Sequence, residues 1–184
     1  MKKALMMAHV ASMIDLFNMN NIHILQEMGY QVDVACNFES GNVTSSERVT
    51  EFKQELKSLG IRYYHVPIPR KLTSVKSIIK SYYIMKNLVE DNHYDIVHCQ
   101  SPIGGVITRM ACKKARKYGT KVIYAAHGFH FYKGASPLSW VLFYPIEKYC
   151  SRYTDCVITM NQEDFNTGKK SMSKDSRIEY IPGV

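Results

Sequence analysis

The segment HGFHFYK, residues 127–133, follows an apolar run and carries two histidines, a glycine and three aromatics. A strand that only fills a core ends in a bland turn. Imidazoles placed here titrate near neutral pH, and can orient a substrate hydroxyl or donate to a developing charge. His127 is therefore the leading candidate for chemistry, with Gly128 beside it allowing a ligand to approach closely. Phe129, Phe131 and Tyr132 read equally well as a stacking wall for a sugar or lipid and as the packing of a long loop. His127 and His130 share HxxH spacing, but zinc needs three or four ligands and no nearby Cys, Asp or Glu completes the set. No metal is expected.

Three other places set polar or glycine-rich chemistry after an apolar run. The stretch His9 to Met13 offers His9, Ser12 and Met13, with a helix start that could meet a phosphate or sugar. It lacks the GxGxxG fingerprint, which disfavours NAD or FAD. The stretch Gln100 to Gly105 opens a helix at Gly104-Gly105, and that helix runs on into the basic sequence RMACKKARKYG, read as a solvated face that includes Arg109. The stretch Asn161 to Asp164 starts a helix that Asn161 caps, with carboxylates at its positive end.

The elements that position these residues follow from period. Short apolar runs recur at Ala4 to His9, Gln31 to Cys36, Ile61 to Ile68, Ile96 to Cys99, Val122 to Ala126, Cys156 to Met160 and Arg177 to Ile181. Several are continuous rather than alternating, as in a sheet covered on both faces. Between them lie helical spacings, such as Ile14 to Met28 and Val75 to Val89, and a polar loop from Phe38 to Glu47 in which Ser46 is the expected N-cap. This order predicts an α/β fold: a doubly wound, mostly parallel, Rossmann-like sheet of about seven strands with helices on both faces. Ligands in such sheets sit outside the carboxyl ends of the strands.

Composition bounds the rest. With 184 residues, 46% of them hydrophobic, the chain suits one domain. A formal charge of +8 suits an anionic partner, yet no aromatic interleaving or base-reading motif supports nucleic acid. Five cysteines without a CxxC pair read as reduced thiols. No run approaches the length of a spanning helix.

The segments HGFHFYKGAS, SWVLFYPIEKYCSRYTDCVITMNQED and RIEYIPGV resemble the N-terminal half of glycosyltransferase family 4 enzymes, particularly bacterial capsular and exopolysaccharide transferases. The likeness runs along the whole chain. It implies half of a metal-independent GT-B enzyme that moves a sugar, with retention, from a nucleotide-sugar co-substrate to a saccharide or lipid-linked acceptor. Residues 1–184 would form the acceptor-binding domain. The donor-binding domain is absent from this chain, and further sequence or a separate polypeptide would supply it. By the same resemblance His127 matches the catalytic histidine. His9, Ser12, Met13, Phe129, His130, Tyr132 and Lys133 are expected on the acceptor side, and Gly128, Asn161 and Glu163 facing the donor. The first loop, Val10-Ala11-Ser12-Met13, lacks the glycine found in many relatives. The expected location is the cytoplasm, peripheral at the inner face of the plasma membrane, with basic residues of the Val75 to Val89 helix and Trp140, Leu142 and Phe143 resting on anionic lipid. Self-association through the surface left open is a further expectation. The competing reading is a non-catalytic module that binds a phospho-sugar or a protein.

Overall fold

The first strand, β1 (Lys2–Val10), is buried on both sides: Leu5 and Met7 belong to one core cluster, Ala4, Met6 and Ala8 to the other. A strand apolar on both faces must lie mid-sheet. In the computed structural model, which describes residues 1–182, it does. The strands β2 (Tyr30–Asn37), β3 (Arg62–His65), β4 (Ile96–Gln100), β5 (Lys121–Ala126), β6 (Cys156–Thr159) and β7 (Arg177–Tyr180) pair with it in the order β3-β2-β1-β4-β5-β6-β7, every pair parallel. All the carboxyl ends therefore lie along one edge, and the order reverses direction at β1 and β4. A crevice opens at such a reversal.

The connecting helices are α1 (Ala11–Phe17), α2 (Met19–Glu27), α3 (Ser46–Ser58), α4 (Val75–Asn92), α5 (Pro102–Ala111), α6 (Pro137–Ser151) and α7 (Gln162–Ser171). Ile14, Ile22, Val49, Phe52 and Leu56 of α1 to α3 seal one face of β1 to β3. Met85, Leu88 and Val89 of α4 and Ile107 and Ala111 of α5 seal the opposite face, which continues across β4, β5 and β6. On the α1 to α3 side of β5 and β6, Ile123, Cys156 and Ile158 remain only half-buried.

Three local details differ from the sequence expectation. The N-cap of α3 is Ser45, whose side chain accepts the N–H of Arg48, so Ser46 is the first helical residue. The first helical stretch is two helices, broken at buried Asn18, whose amide donates to the carbonyl of Met13. The basic stretch also divides: α5 ends at Ala111 and a 3-10 turn, Ala115–Tyr118, follows.

That division corrects the reading of Arg109, which is completely buried rather than solvated. Its guanidinium donates to both Glu147 oxygens at 2.7 and 3.1 Å, and to the carbonyl of Gly105 at 3.0 Å. It also lies 3.9 Å over the Tyr124 ring. The close approach requires glycine at 105, because a Cβ there would meet Tyr124 Cε2 at 2.5 Å. Arg109 thus joins α5, α6 and β5 beneath the crevice.

A buried charge left without its partner is costly, whereas an apolar pair of similar volume is tolerated. Glu147→Leu is expected to destabilise the fold by about 3–5 kcal/mol. Adding Arg109→Met should recover most of the loss, read from urea midpoints at unchanged m.

Candidate functional site

The crevice is a cleft of about 700 Å³ at the carboxyl ends of β1, β4 and β5, walled by α1, α4, α5 and α6. His9, Arg70, Ser101, His127, His130 and Glu147 bring polar groups to it. The remaining wall is mostly aliphatic and aromatic: Val10, Met13, Phe17, Val43, Leu72, Ile78, Ile103, Val106, Ile107, Phe143 and Ile146. A mainly apolar cavity with a few convergent polar groups is the usual form of a small-ligand site.

His127 stands one residue past β5 with an exposed imidazole, and its Nε2 lies 3.0 Å from the amide oxygen of Gln100 at the end of β4. The ladder sets this meeting, since β4 and β5 pair Gln100 with Ala125. Gly128 has φ 140°, a conformation that side-chain-bearing residues rarely adopt, so the chain can turn sharply after the imidazole. Although His127 is exposed as a residue, partial burial of its ring against the cleft lowers its pKa. For His9, burial and then the Arg70 charge do the same, against a hydrogen bond to Ile68 that raises it. Both imidazoles are neutral at pH 7.

The loop after His127 is fastened by the first turn of α7. Asn161 caps that helix by accepting the N–H of Asp164 at 2.8 Å, and its amide donates to Asp164 Oδ2 at 2.8 Å. The same carboxylate oxygen accepts the N–H of Phe129 at 3.1 Å, and Glu163 accepts the N–H of Lys133 at 2.6 Å. Phe129 and Phe131 stack at 4.8 Å and are buried, and Phe131 meets Trp140 and Tyr144 edge-on. Of the two readings of these aromatics, packing of the loop describes Phe129 and Phe131. His130 stacks on Phe143 at 4.5 Å, which turns α6 toward the cleft.

Of the residues singled out from sequence, His9, Ser12, Met13, His127, Gly128, Phe129 and His130 converge on the cleft. Tyr132, Lys133, Asn161 and Glu163 do not line it. The last three hold the loop in place, and the carbonyl of Tyr132 accepts the Trp140 indole N–H. Ser12 is buried and committed to structure: its N–H donates to Asn42, and its hydroxyl accepts the N–H of Val43. Sequence reasoning gave no site role to Arg70, Glu147 or Tyr124, and marked Gln100 only as the start of the polar stretch after the fourth apolar run. Gln100 did leave a signal, an amide ending the apolar run IVHC.

The turn after β4 is unfavourable in two respects. Ser101 has φ 72° and ψ 150°, a region close to glycine-only, which costs about 1–3 kcal/mol. Gln100 Nε2 and Ser101 Oγ are buried without partners among the described residues, and each orphan costs about 1–3 kcal/mol.

A family profile described as "Glycosyl transferase 4-like" matches residues 6–161. The protein named "Putative glycosyltransferase EpsD" of Bacillus subtilis (strain 168) is 36% identical over 183 residues, covering 100% of this chain and 44% of that protein. Among solved structures, MurG of Acinetobacter baumannii matches with TM-score 0.59 at 16% identity, over 97% of this chain and 46% of that one. UDP-N-acetylglucosamine 2-epimerase from Rickettsia bellii matches with TM-score 0.54 at 13% identity, over 97% and 44%. At these identities the two structures bear on the fold alone. The chain spans less than half the length of each of these three proteins.

His98, half-buried beside Met6 Sδ at 2.9 Å, has its pKa pushed down to about 4 by burial and then by His127. Unfolded, it titrates near 6.5. Between those values the unfolded chain binds more protons, so stability falls as pH falls. The expected loss from this group is at most about 3 kcal/mol. Urea unfolding across that window should show a shallower pH slope in His98→Leu than in the wild type.

Proposed function

Because the chain belongs to the glycosyl transferase 4-like family, we propose that it is the acceptor-binding domain of a retaining glycosyltransferase. In this reading the enzyme transfers a sugar from a nucleotide-sugar to a lipid-linked saccharide during surface polysaccharide synthesis. The observation that carries the acceptor assignment is the apolar wall of the cleft. A nucleotide-sugar calls for charge and hydrogen bonds along its whole length, whereas this cleft offers Arg70, His9 and His127 around a largely hydrocarbon surface. A phosphate-bearing head with an apolar tail suits that division. The nucleotide then belongs to a second half of the enzyme, carried by the same polypeptide or by another.

His127 is the group that meets the reacting sugar, and it is neutral at working pH because burial lowers its pKa. His130, stacked on Phe143, shapes the acceptor side. The family resemblance supports retention of configuration and a metal-independent reaction. In the intact enzyme, His127→Ala is expected to reduce transfer from radiolabelled nucleotide-sugar at least about tenfold, with an unchanged urea midpoint. Near-normal turnover would remove His127 from the reaction.

A membrane-borne acceptor also accounts for the outer face of α4. While Met85, Leu88 and Val89 face the core, Val75, Ile79 and Tyr83 form a second stripe that is half or more exposed, flanked by Lys71, Lys76 and Lys80. Leu138, Val141 and Leu142 of α6 are exposed as well. Among the described residues no helix is long and apolar enough to cross a membrane. An apolar stripe edged with lysines fits the surface of an anionic bilayer. Flotation with vesicles containing anionic lipid should recover the chain, and raised salt or the double change Val75→Asp with Ile79→Asp should abolish recovery. Equal recovery with purely zwitterionic vesicles would sink the electrostatic part.

A further inference from the structure

We propose that Gln100 is a positioning residue for His127: its amide oxygen accepts the Nε2–H, fixing one tautomer and leaving Nδ1 as a bare acceptor for a substrate hydroxyl. The inference rests on the reading that His127 acts in sugar transfer, and it deepens that reading by assigning the direction of the hydrogen bond. From sequence, His127 could either orient a substrate hydroxyl or donate to a developing charge. The geometry points to an imidazole whose only N–H is already used.

Gln100 is 2% exposed and its backbone is held by the ladder to β5, so its Cα is fixed beside the imidazole and close packing limits the rotamers open to the amide. Its oxygen makes the 3.0 Å contact with His127 Nε2, while its nitrogen has no partner among the described residues. An apolar side chain at this position would avoid an orphaned donor. An amide is therefore a poor choice for packing, and the bond to His127 is the interaction it makes. The adjacent Ser101 adds backbone strain at the same turn. Two costly residues in succession beneath an exposed imidazole mark a place where position outweighs stability.

The neighbours fit a neutral ring. His98, the neighbouring imidazole, is itself uncharged at neutral pH, its pKa pushed down to about 4 by burial and then by His127. Among the described residues no carboxylate pairs with His127 to hold it as imidazolium; its partner is the neutral Gln100 amide. An amide accepts one hydrogen bond without adding charge, which orients the ring and selects the tautomer.

The test is nitrogen NMR of the imidazoles in this chain, labelled with 15N-histidine and assigned by His127→Asn. The expected wild-type pattern is a protonated Nε2 and a bare Nδ1 at pH about 7.5, above the ordinary histidine range. Gln100→Leu should give a mixture of tautomers at His127. Gln100→Glu keeps the acceptor, so it should restore protonated Nε2 while raising the His127 pKa by about one unit or more. Amide fingerprint spectra confirm that each variant is folded, and Gln100→Asn, with a shorter reach, serves if Leu does not fold: it too should lose the single tautomer. A wild type with Nδ1 protonated would overturn the proposal, as would a tautomer unaffected by every Gln100 variant. These readouts need no turnover. A fixed Nε2–H tautomer with an active His127→Ala enzyme would sink the catalytic reading and leave the positioning contact intact.

Discussion

A guanidinium with no exposure cannot exist alone. Arg109 satisfies its charge on Glu147, its Nε–H on the Gly105 carbonyl, and its flat face on Tyr124. These contacts draw α5, α6 and β5 to one point below the cleft, and Glu147 and Tyr124 themselves form part of its lining. Isolated ion pairs on a surface are worth little. One whose cation is fully buried, bidentate and capped by an aromatic ring instead specifies which helix packs where. With α6 anchored there, Phe143 and Ile146 stand as one wall of the cleft and the opposite side of α6 is left to solvent.

A second set of contacts fixes the loop after β5. Asp164, buried at the start of α7, ties the loop after β5 through the Phe129 N–H, and Glu163 ties the same loop four residues later. The imidazole of His127 is thereby bounded on one side by Gln100 and on the other by a fastened loop. The result is a histidine set between these contacts in the wall of a largely apolar cleft. That arrangement suits an acceptor with a phosphate or sugar head and a hydrocarbon body.

Much of this was legible in the sequence, for physical reasons that differ from residue to residue. The inner strands were visible because parallel strands covered on both faces leave unbroken apolar runs such as IVHC and KVIYAA, while the half-buried edge strands β3 and β7 showed only as short aromatic or aliphatic runs between polar turns. Their shared carboxyl edge then pointed to His9 and His127 without further information. Arg109 was misread because a charged run in sequence carries no record of which member faces inward. Its partner Glu147 lies 38 positions away, within a helix that looks merely amphipathic. The outer apolar stripe of α4 was hidden in the same way, since a helix with two apolar faces reads from sequence as one broad core face. Phe129 and Phe131 could not be divided between wall and packing until the stack on Trp140 and Tyr144 was in view.

The central claim is that this cleft holds the acceptor and the nucleotide-sugar binds elsewhere. Its most direct measurement is chemical-shift mapping of the chain with a short-chain isoprenyl diphosphate saccharide, repeated in the presence of excess nucleotide-sugar. The account predicts perturbations at His9, Arg70, Ile103, His127 and Phe143 that the nucleotide-sugar leaves in place. Displacement of those shifts by the nucleotide-sugar, or a footprint away from the cleft, would contradict it.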